Sequence, residues 1–299
     1  MVQRNFDLKT RIDRYFRWTL SFVTLLPFVN NSRSQAQALE PKRQGTKHRP
    51  TVDELVLFAP SRYPSGDWQP DSLKFEDVFF TSNDGTKLHG WYCPCEDSRA
   101  VVLLAHGNAG HIASRTPWLR YLQNEAQLSV FIFDYRGFGR SEGKPTVSGA
   151  VEDAMAARAK LRELAKVEDS EMILMGESLG GAIATQLAVE SAPSGLILQS
   201  TFSSLRDVAS VRFPSVSWFV PKDKLNSASQ IGRYQGPLLQ SHGSRDQIIP
   251  YQFAEKLFQA ANEPKQFITI ENADHNNWLN ADYLKQMDEF IEKVSNSSK

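Results

Sequence analysis

Met172-Ile-Leu-Met-Gly-Glu-Ser178-Leu-Gly-Gly-Ala-Ile-Ala-Thr-Gln-Leu-Ala188 is an apolar run, a glycine-flanked turn and a helix-forming stretch in unbroken succession. The order predicts a strand, a tight turn and a helix. A serine on such a turn projects from the end of a sheet, and the glycines of Gly176-Glu177-Ser178-Leu179-Gly180 stand where a side chain would collide with the neighbouring strand and helix. Three fixed positions out of five recur by chance in any chain, so the sequence on either side must carry the reading.

Outward from the turn, short apolar runs alternate with longer helical stretches from Leu73 onward. Strands are expected at 74–81, 87–92, 100–105, 129–134, 171–176, 195–200, 236–241 and 265–271, and helices at 112–126, 147–166, 179–191, 250–261 and 279–294. This alternation predicts an α/β fold, with a mostly parallel central sheet of about eight strands and helices on both faces. Ser82-Asn83-Asp84-Gly85 reads as a hairpin turn, which makes the first two strands antiparallel neighbours. Between strands six and seven, Thr201–Gln235 carries Phe202, Phe213, Trp218, Phe219 and Val220, while Pro214 and Pro221 interrupt any long helix. The segment 201–235 reads either as a small cap, with Phe202 and Trp218 as candidate substrate contacts, or as a crossover whose aromatics face the core.

A serine hydroxyl is a poor nucleophile at neutral pH, so a base must lie within hydrogen-bond reach and a third group must fix the base's tautomer. In a sheet whose nucleophile follows a middle strand, acid and base come later, in loops at the same carboxyl edge. Asp246 in Ser241-His-Gly-Ser-Arg-Asp-Gln-Ile-Ile-Pro250 and His275 in Asn272-Ala-Asp-His-Asn-Asn-Trp278 meet that requirement in order. Taken alone, Asp246 could equally be a turn residue or a helix cap. Asp274 and Glu271 are rival acids, but sequence neighbours of His275 seldom reach its Nδ1 from the correct side. A tetrahedral intermediate also needs donors for its negative charge. The N–H of Leu179 follows the nucleophile, and Asn108 lies in the loop His106-Gly-Asn-Ala-Gly-His111 after an early strand. That loop carries neither a dinucleotide fingerprint nor a Walker-type Gly-Lys-Ser/Thr, which argues against phosphate binding.

Lys+Arg and Asp+Glu balance at 34 each, and no basic run is interleaved with aromatics, so no nucleic-acid partner is expected. Cys93 and Cys95, separated by Pro94, would form a strained disulfide at best and are too few for a structural zinc site, so they read as ordinary thiols. Arg4, Lys9, Arg11, Arg14 and Arg17 precede the apolar run Trp18–Val29 and a polar stretch ending Ala36-Gln37-Ala38. Residues 1–38 therefore read as a signal peptide or an uncleaved signal anchor. They imply an exported or envelope-associated protein that this segment could hold at a membrane. Residues 39–72 read as an extended lead-in, and 73–299 as one catalytic domain.

With these motifs in place, the chain resembles the α/β-hydrolase superfamily, and within it the small membrane-associated branch of depalmitoylase-like serine hydrolases and their bacterial relatives. The resemblance rests on His106-Gly-Asn-Ala-Gly110, Asp134-Tyr-Arg-Gly-Phe-Gly139 with Ser141-Glu-Gly143, Gly176-Glu-Ser-Leu-Gly-Gly181, Ser244-Arg-Asp-Gln-Ile-Ile-Pro250 and Asp274-His-Asn276. It implies Ser178 as nucleophile, Asp246 as acid, His275 as base, an oxyanion hole from the amides of Asn108 and Leu179, and neither a metal nor an organic cofactor. The implied substrate is a small-molecule acyl ester or thioester. A peptidase of the same fold and a non-catalytic ligand-binding module remain the alternatives. The eukaryotic depalmitoylases carry a cysteine-rich, acylated N-terminus. This chain has no cysteine before Cys93, so an intracellular thioesterase role does not carry over.

Overall fold

A computed structural model of the chain describes residues 57–215 and 217–297. The expected signal segment lies outside the described residues. Eight strands form one sheet: β1 (Glu76–Thr81), β2 (Lys87–Cys93), β3 (Ala100–Ala105), β4 (Leu128–Asp134), β5 (Met172–Glu177), β6 (Gly195–Gln199), β7 (Leu238–Gly243) and β8 (Lys265–Ile270). Their spatial order is β8-β7-β6-β5-β3-β4-β2-β1. The β1–β2 and β2–β4 pairs are antiparallel and every other pair is parallel. The hairpin forms where the sequence placed it: Asp84 Oδ1 accepts the Thr86 N–H at 3.0 Å, and Gly85 takes φ +87°. Every strand boundary falls within two residues of the sequence reading.

The central strands are apolar throughout because both faces are covered. Along β5, Met172 and Leu174 face one core while Ile173 and Met175 face the other. The period of two is kept in β3, where Leu103 and Ala105 oppose Val102 and Leu104. On the first face pack α2 (Val147–Ala165), α3 (Leu179–Glu190) and α6 (Tyr251–Ala260). On the second face pack α1 (Thr116–Arg120) and α7 (Ala281–Ser297). Sequence reading gave 112–126 as one helix. The structure divides it into a 3-10 turn at Ile112–Arg115, then α1, then a π turn at Tyr121–Glu125 closed by the Ala126 N–H on the Tyr121 carbonyl at 2.9 Å. Between β6 and β7 the chain forms α4 (Leu205–Arg212), a 3-10 turn at Ser217–Phe219 and the one-turn α5 (Ser227–Gln230), a small helical excursion.

The Asp134–Gly143 segment is structural. The Arg136 guanidinium donates twice to Asp153 of α2, from Nε at 3.1 Å and Nη2 at 2.8 Å, and once to Asp84 at 2.8 Å. It thereby ties the hairpin to the helix. Both cysteines are free, and burial pushes the Cys93 thiol up to about 12, which makes it inert at neutral pH.

Candidate active site

Ser178 sits between β5 and α3 with φ 53° and ψ −114°, a conformation that L-residues rarely adopt. Its surroundings enforce that strain. The Ser178 N–H donates to the Gln199 carbonyl at 2.8 Å, while its own carbonyl accepts from Gly181 N–H at 3.0 Å and Thr201 Oγ1 at 2.7 Å. The glycines make room for the turn. A Cβ on Gly176 would lie 2.3 Å from the Gly180 carbonyl oxygen, one on Gly180 1.9 Å from the Ala105 oxygen, and one on Gly181 2.5 Å from Thr201 Cβ. Helix α3 must pass directly over β3 and β5, and only a chain without side chains there allows it.

Asp246 and His275 come from the two loops that follow β7 and β8, and those loops are tied together. Ser244 N–H donates to the Ile270 carbonyl at 3.0 Å and Arg245 N–H to the Ala273 carbonyl at 2.9 Å. Gln247 N–H reaches Asp274 Oδ1 at 3.3 Å. The result is a 2.7 Å hydrogen bond between His275 Nδ1 and Asp246 Oδ2. A carboxylate only accepts, so the Nδ1 nitrogen carries a proton on this bond and Nε2 is the ring nitrogen not engaged by the acid. Asp246 Oδ1 meanwhile accepts the Ile248 and Ile249 N–H groups, both at 2.8 Å. Burial alone would raise the Asp246 carboxyl. The hydrogen bonds from His242, His275 and the Ile249 N–H outweigh it and hold the group well below the ordinary aspartate range. The rival acids are occupied otherwise: Asp274 Oδ1 accepts the His275 N–H of its own loop and the Gln247 N–H of the acid loop, and Glu271 accepts the Ser244 hydroxyl. Ser178, Asp246 and His275 are 7, 6 and 7 % exposed, so all three sit just beneath the surface.

Leu179 opens α3, so its N–H precedes the first intrahelical bond. Asn108 lies in the loop after β3, and three groups that sequence reading passed over hold that loop. The first is the lead-in. Ala59–Pro60 pairs in parallel with Ala109–Gly110, Ala59 N–H donates to the Asn108 carbonyl at 2.9 Å, Ser61 N–H donates to the Gly110 carbonyl at 2.9 Å, and Asn108 Nδ2 donates to the Leu57 carbonyl. The second and third are Arg115 and Glu177. Arg115 Nε lies 3.3 Å from the Glu177 carboxylate, and Arg115 Nη2 donates to the Ala109 carbonyl at 3.3 Å. Glu177, the residue before the serine, thus braces the loop after β3 through Arg115. A strap of two strand residues has too little pattern to be seen in sequence, although its Pro60 is compatible with an edge position.

Ala59→Pro removes the N–H that donates to the Asn108 carbonyl. One such bond contributes about 1 kcal/mol. If the loop supplies a transition-state donor, kcat should fall about fivefold. Steady-state kinetics beside a thermal melt would check this, since an effect confined to Tm would mean that the strap only stabilises the fold.

The two candidate substrate contacts part ways. Phe202 is 2 % exposed and packed in the core with Leu205, Leu225 and Ile231. Trp218 is 62 % exposed and stacked on Phe219 at 3.6 Å, away from that core. Sequence reading grouped them because both are aromatics of one segment, and composition does not distinguish a buried face from an exposed tip. Among the described residues there is no cluster of three potential metal ligands.

The family described as serine aminopeptidase S33 matches this chain over residues 96–229. The Escherichia coli K12 protein YfhR is 35 % identical over 219 residues, which cover 69 % of this chain and 75 % of YfhR. The α/β hydrolase domain-containing protein WAV2 of Arabidopsis thaliana is 30 % identical over 248 residues, covering 75 % of this chain and 80 % of WAV2. Among solved structures, the Pyrococcus furiosus esterase Pf2001 superposes with a TM-score of 0.66 at 20 % identity, covering 79 % of this chain and 98 % of its own. With the sheet order, the elbow at Ser178 and these relatives together, the chain belongs to the α/β-hydrolase superfamily.

Proposed function

We propose that this protein is a serine hydrolase that cleaves carboxylic ester or thioester bonds through an acyl-enzyme intermediate, with Ser178, His275 and Asp246 as its triad. The observation that carries the reading is the 2.7 Å His275–Asp246 bond, which orients the imidazole through its Nδ1 and leaves Nε2 off the acid, on the sheet edge where Ser178 is held in its strained turn. Ser178 Oγ attacks the acyl carbon as His275 Nε2 takes its proton. The oxyanion then forms on the N–H groups of Leu179 and Asn108. Its collapse breaks the bond to the leaving alcohol or thiol, which receives the proton from His275. Water next attacks the acyl-serine, its proton passes through His275 to Ser178 Oγ, and the acid leaves. The proton and electron counts close among serine, imidazole and water, so the cycle needs no cofactor.

Fluorophosphonate labelling tests the assignment. The wild-type chain should take up one label at Ser178, and labelling that persists in Ser178→Ala would overturn the reading. The serine aminopeptidase description of the matched family motivates one rival. Parallel assays on short acyl esters, acyl thioesters and aminoacyl amides decide it, since faster turnover of the amides would make the protein a peptidase. Residues 1–38 support an exported or envelope-associated location, to be tested by cell fractionation.

A pH prediction follows from the acid. The Asp246 carboxyl is depressed in the folded chain, so the stability it contributes is present above the unfolded value of 3.8 and is lost as pH falls through the lower folded value. The Tm difference between wild type and Asp246→Asn should therefore hold steady from neutrality to about pH 5 and close below about pH 4. A difference that widens on acidification would show that the carboxylate is not held in its charged form.

A further inference from the structure

We infer that His242 is a positioning residue for the acid–base pair: its Nε2–H, shared between the Ile249 carbonyl and the Asp246 carboxylate, closes the acid loop and aims the carboxylate at His275. The inference rests on the triad reading above. His242 lies on β7 opposite Thr269 of β8 and is fully buried. Its Nε2 stands 2.8 Å from the Ile249 carbonyl oxygen and 3.2 Å from Asp246 Oδ2. Both neighbours only accept, so the proton must sit on Nε2. Nδ1 is buried with no hydrogen-bond partner among the described residues. The Nε2–H is therefore fixed in place by its two acceptors, and the edge-on Tyr251 ring, its centroid 6.0 Å away, walls one side. The Tyr251 hydroxyl is itself hydrogen-bonded to Thr269 Oγ1 at 2.5 Å.

The consequence lies in the coordination of Asp246. A carboxylate has about four lone-pair positions. Oδ1 takes the Ile248 and Ile249 N–H groups, while Oδ2 takes His275 Nδ1–H and the shared His242 Nε2–H. With all four filled, the carboxylate plane cannot turn. The same imidazole also holds the Ile249 carbonyl, so one ring links Asp246 to the residue that ends its loop before Pro250. Without the ring, Oδ2 keeps His275 alone and the Ile249 carbonyl loses its buried donor. The acid can then swing while the fold persists, and His275 loses its fixed orientation.

Three variants of the full-length chain separate positioning from space-filling. Leucine fills the volume without a donor, asparagine carries an amide too short to reach, and glutamine places an amide N–H close to where Nε2 stood. His242→Leu and His242→Asn should lower kcat for a short acyl ester by about 10- to 100-fold with KM little changed, while His242→Gln keeps most of the activity. The low-field proton resonance of the His275 Nδ1–H···Asp246 bond should shift or broaden in the first two and persist in the third. Wild-type kcat and an unmoved resonance in His242→Leu would overturn the inference. So would His242→Gln falling as far as His242→Leu, since only the ring's shape would then matter. If His242→Leu does not fold, the asparagine and glutamine pair carries the comparison. Activity surviving in Ser178→Ala would instead remove the triad reading, whereas the resonance reports the Asp246–His275 bond whether or not ester is turned over.

Discussion

Ser178→Ala, His275→Ala and the doubly substituted chain are expected to hydrolyse a p-nitrophenyl ester at one shared residual rate, at least ~10³-fold below wild type. In the proposed mechanism the two groups act in one step. The serine attacks only as its proton leaves for the imidazole, so once either is gone the other has no partner reaction to accelerate. Independent contributions would multiply, and the double variant would then fall to the product of the two losses. The residual rate should still exceed that of water, because the N–H groups at Leu179 and Asn108 do not depend on either side chain. Single-turnover kinetics of the three variants at neutral pH decide the matter. A double variant far below both singles would show that Ser178 and His275 work separately, against the 2.7 Å pairing that orients the base.

Gly180→Ala is expected to cost the fold itself, although it adds a single methyl group. The added carbon would lie 1.9 Å from the Ala105 carbonyl oxygen, 2.5 Å from that carbonyl carbon and 2.7 Å from the His106 oxygen. All three are backbone atoms of the strand end and loop below, so no rotamer change relieves the contact. Helix α3 must lift from β3, opening the packing of Leu179, Ala182 and Ile183, which are at most 1 % exposed. Overpacking of this kind costs roughly 1–3 kcal/mol where side chains can give, and more where only backbone can move. Against a typical domain stability of ~5–15 kcal/mol, that is a large share. Denaturant melts should show a clear loss of midpoint, or no soluble protein. A near-wild-type melt would mean that α3 sits higher over the strand than the structure places it. Gly85→Ala is the control: its φ is also positive, at +87°, but nothing lies within 4 Å of the added carbon, so its smaller cost isolates backbone strain from collision.

Much of this was legible in the sequence, and physical reasons separate what was from what was not. The strands β3 to β6 are buried on both faces, which forces near-continuous apolar runs that solvent-facing segments do not imitate. Asp246 and His275 could be placed because parallel strands deliver all their following loops to one edge, so order along the chain becomes position in space. What escaped was contact between distant segments without periodic signature. The Ala59–Pro60 strap joins residues about fifty positions downstream through backbone atoms alone. His242 was hidden by its neighbours in Ser241-His-Gly-Ser-Arg-Asp246: sequence shows an imidazole four residues before an acid, whereas its contact with the Ile249 carbonyl depends on how the loop closes. Phe202 and Trp218 could not be told apart for the opposite reason. Both are large aromatics in one segment, and only the path of the chain puts the first in the core and the second in solvent.

The close approaches at Gly176, Gly180 and Gly181 also bear on descent. None of these contacts involves the serine hydroxyl. A descendant that exchanged Ser178 for another nucleophile, or lost catalysis altogether, would still need the three glycines to seat its helix. The glycine spacing is thus a record of architecture, inherited whether or not chemistry persists, while the pairing of Asp246 with His275 is what selection can relax once turnover no longer matters. When genomes are searched for working relatives, the intact acid–base loops therefore discriminate better than the elbow that first draws the eye.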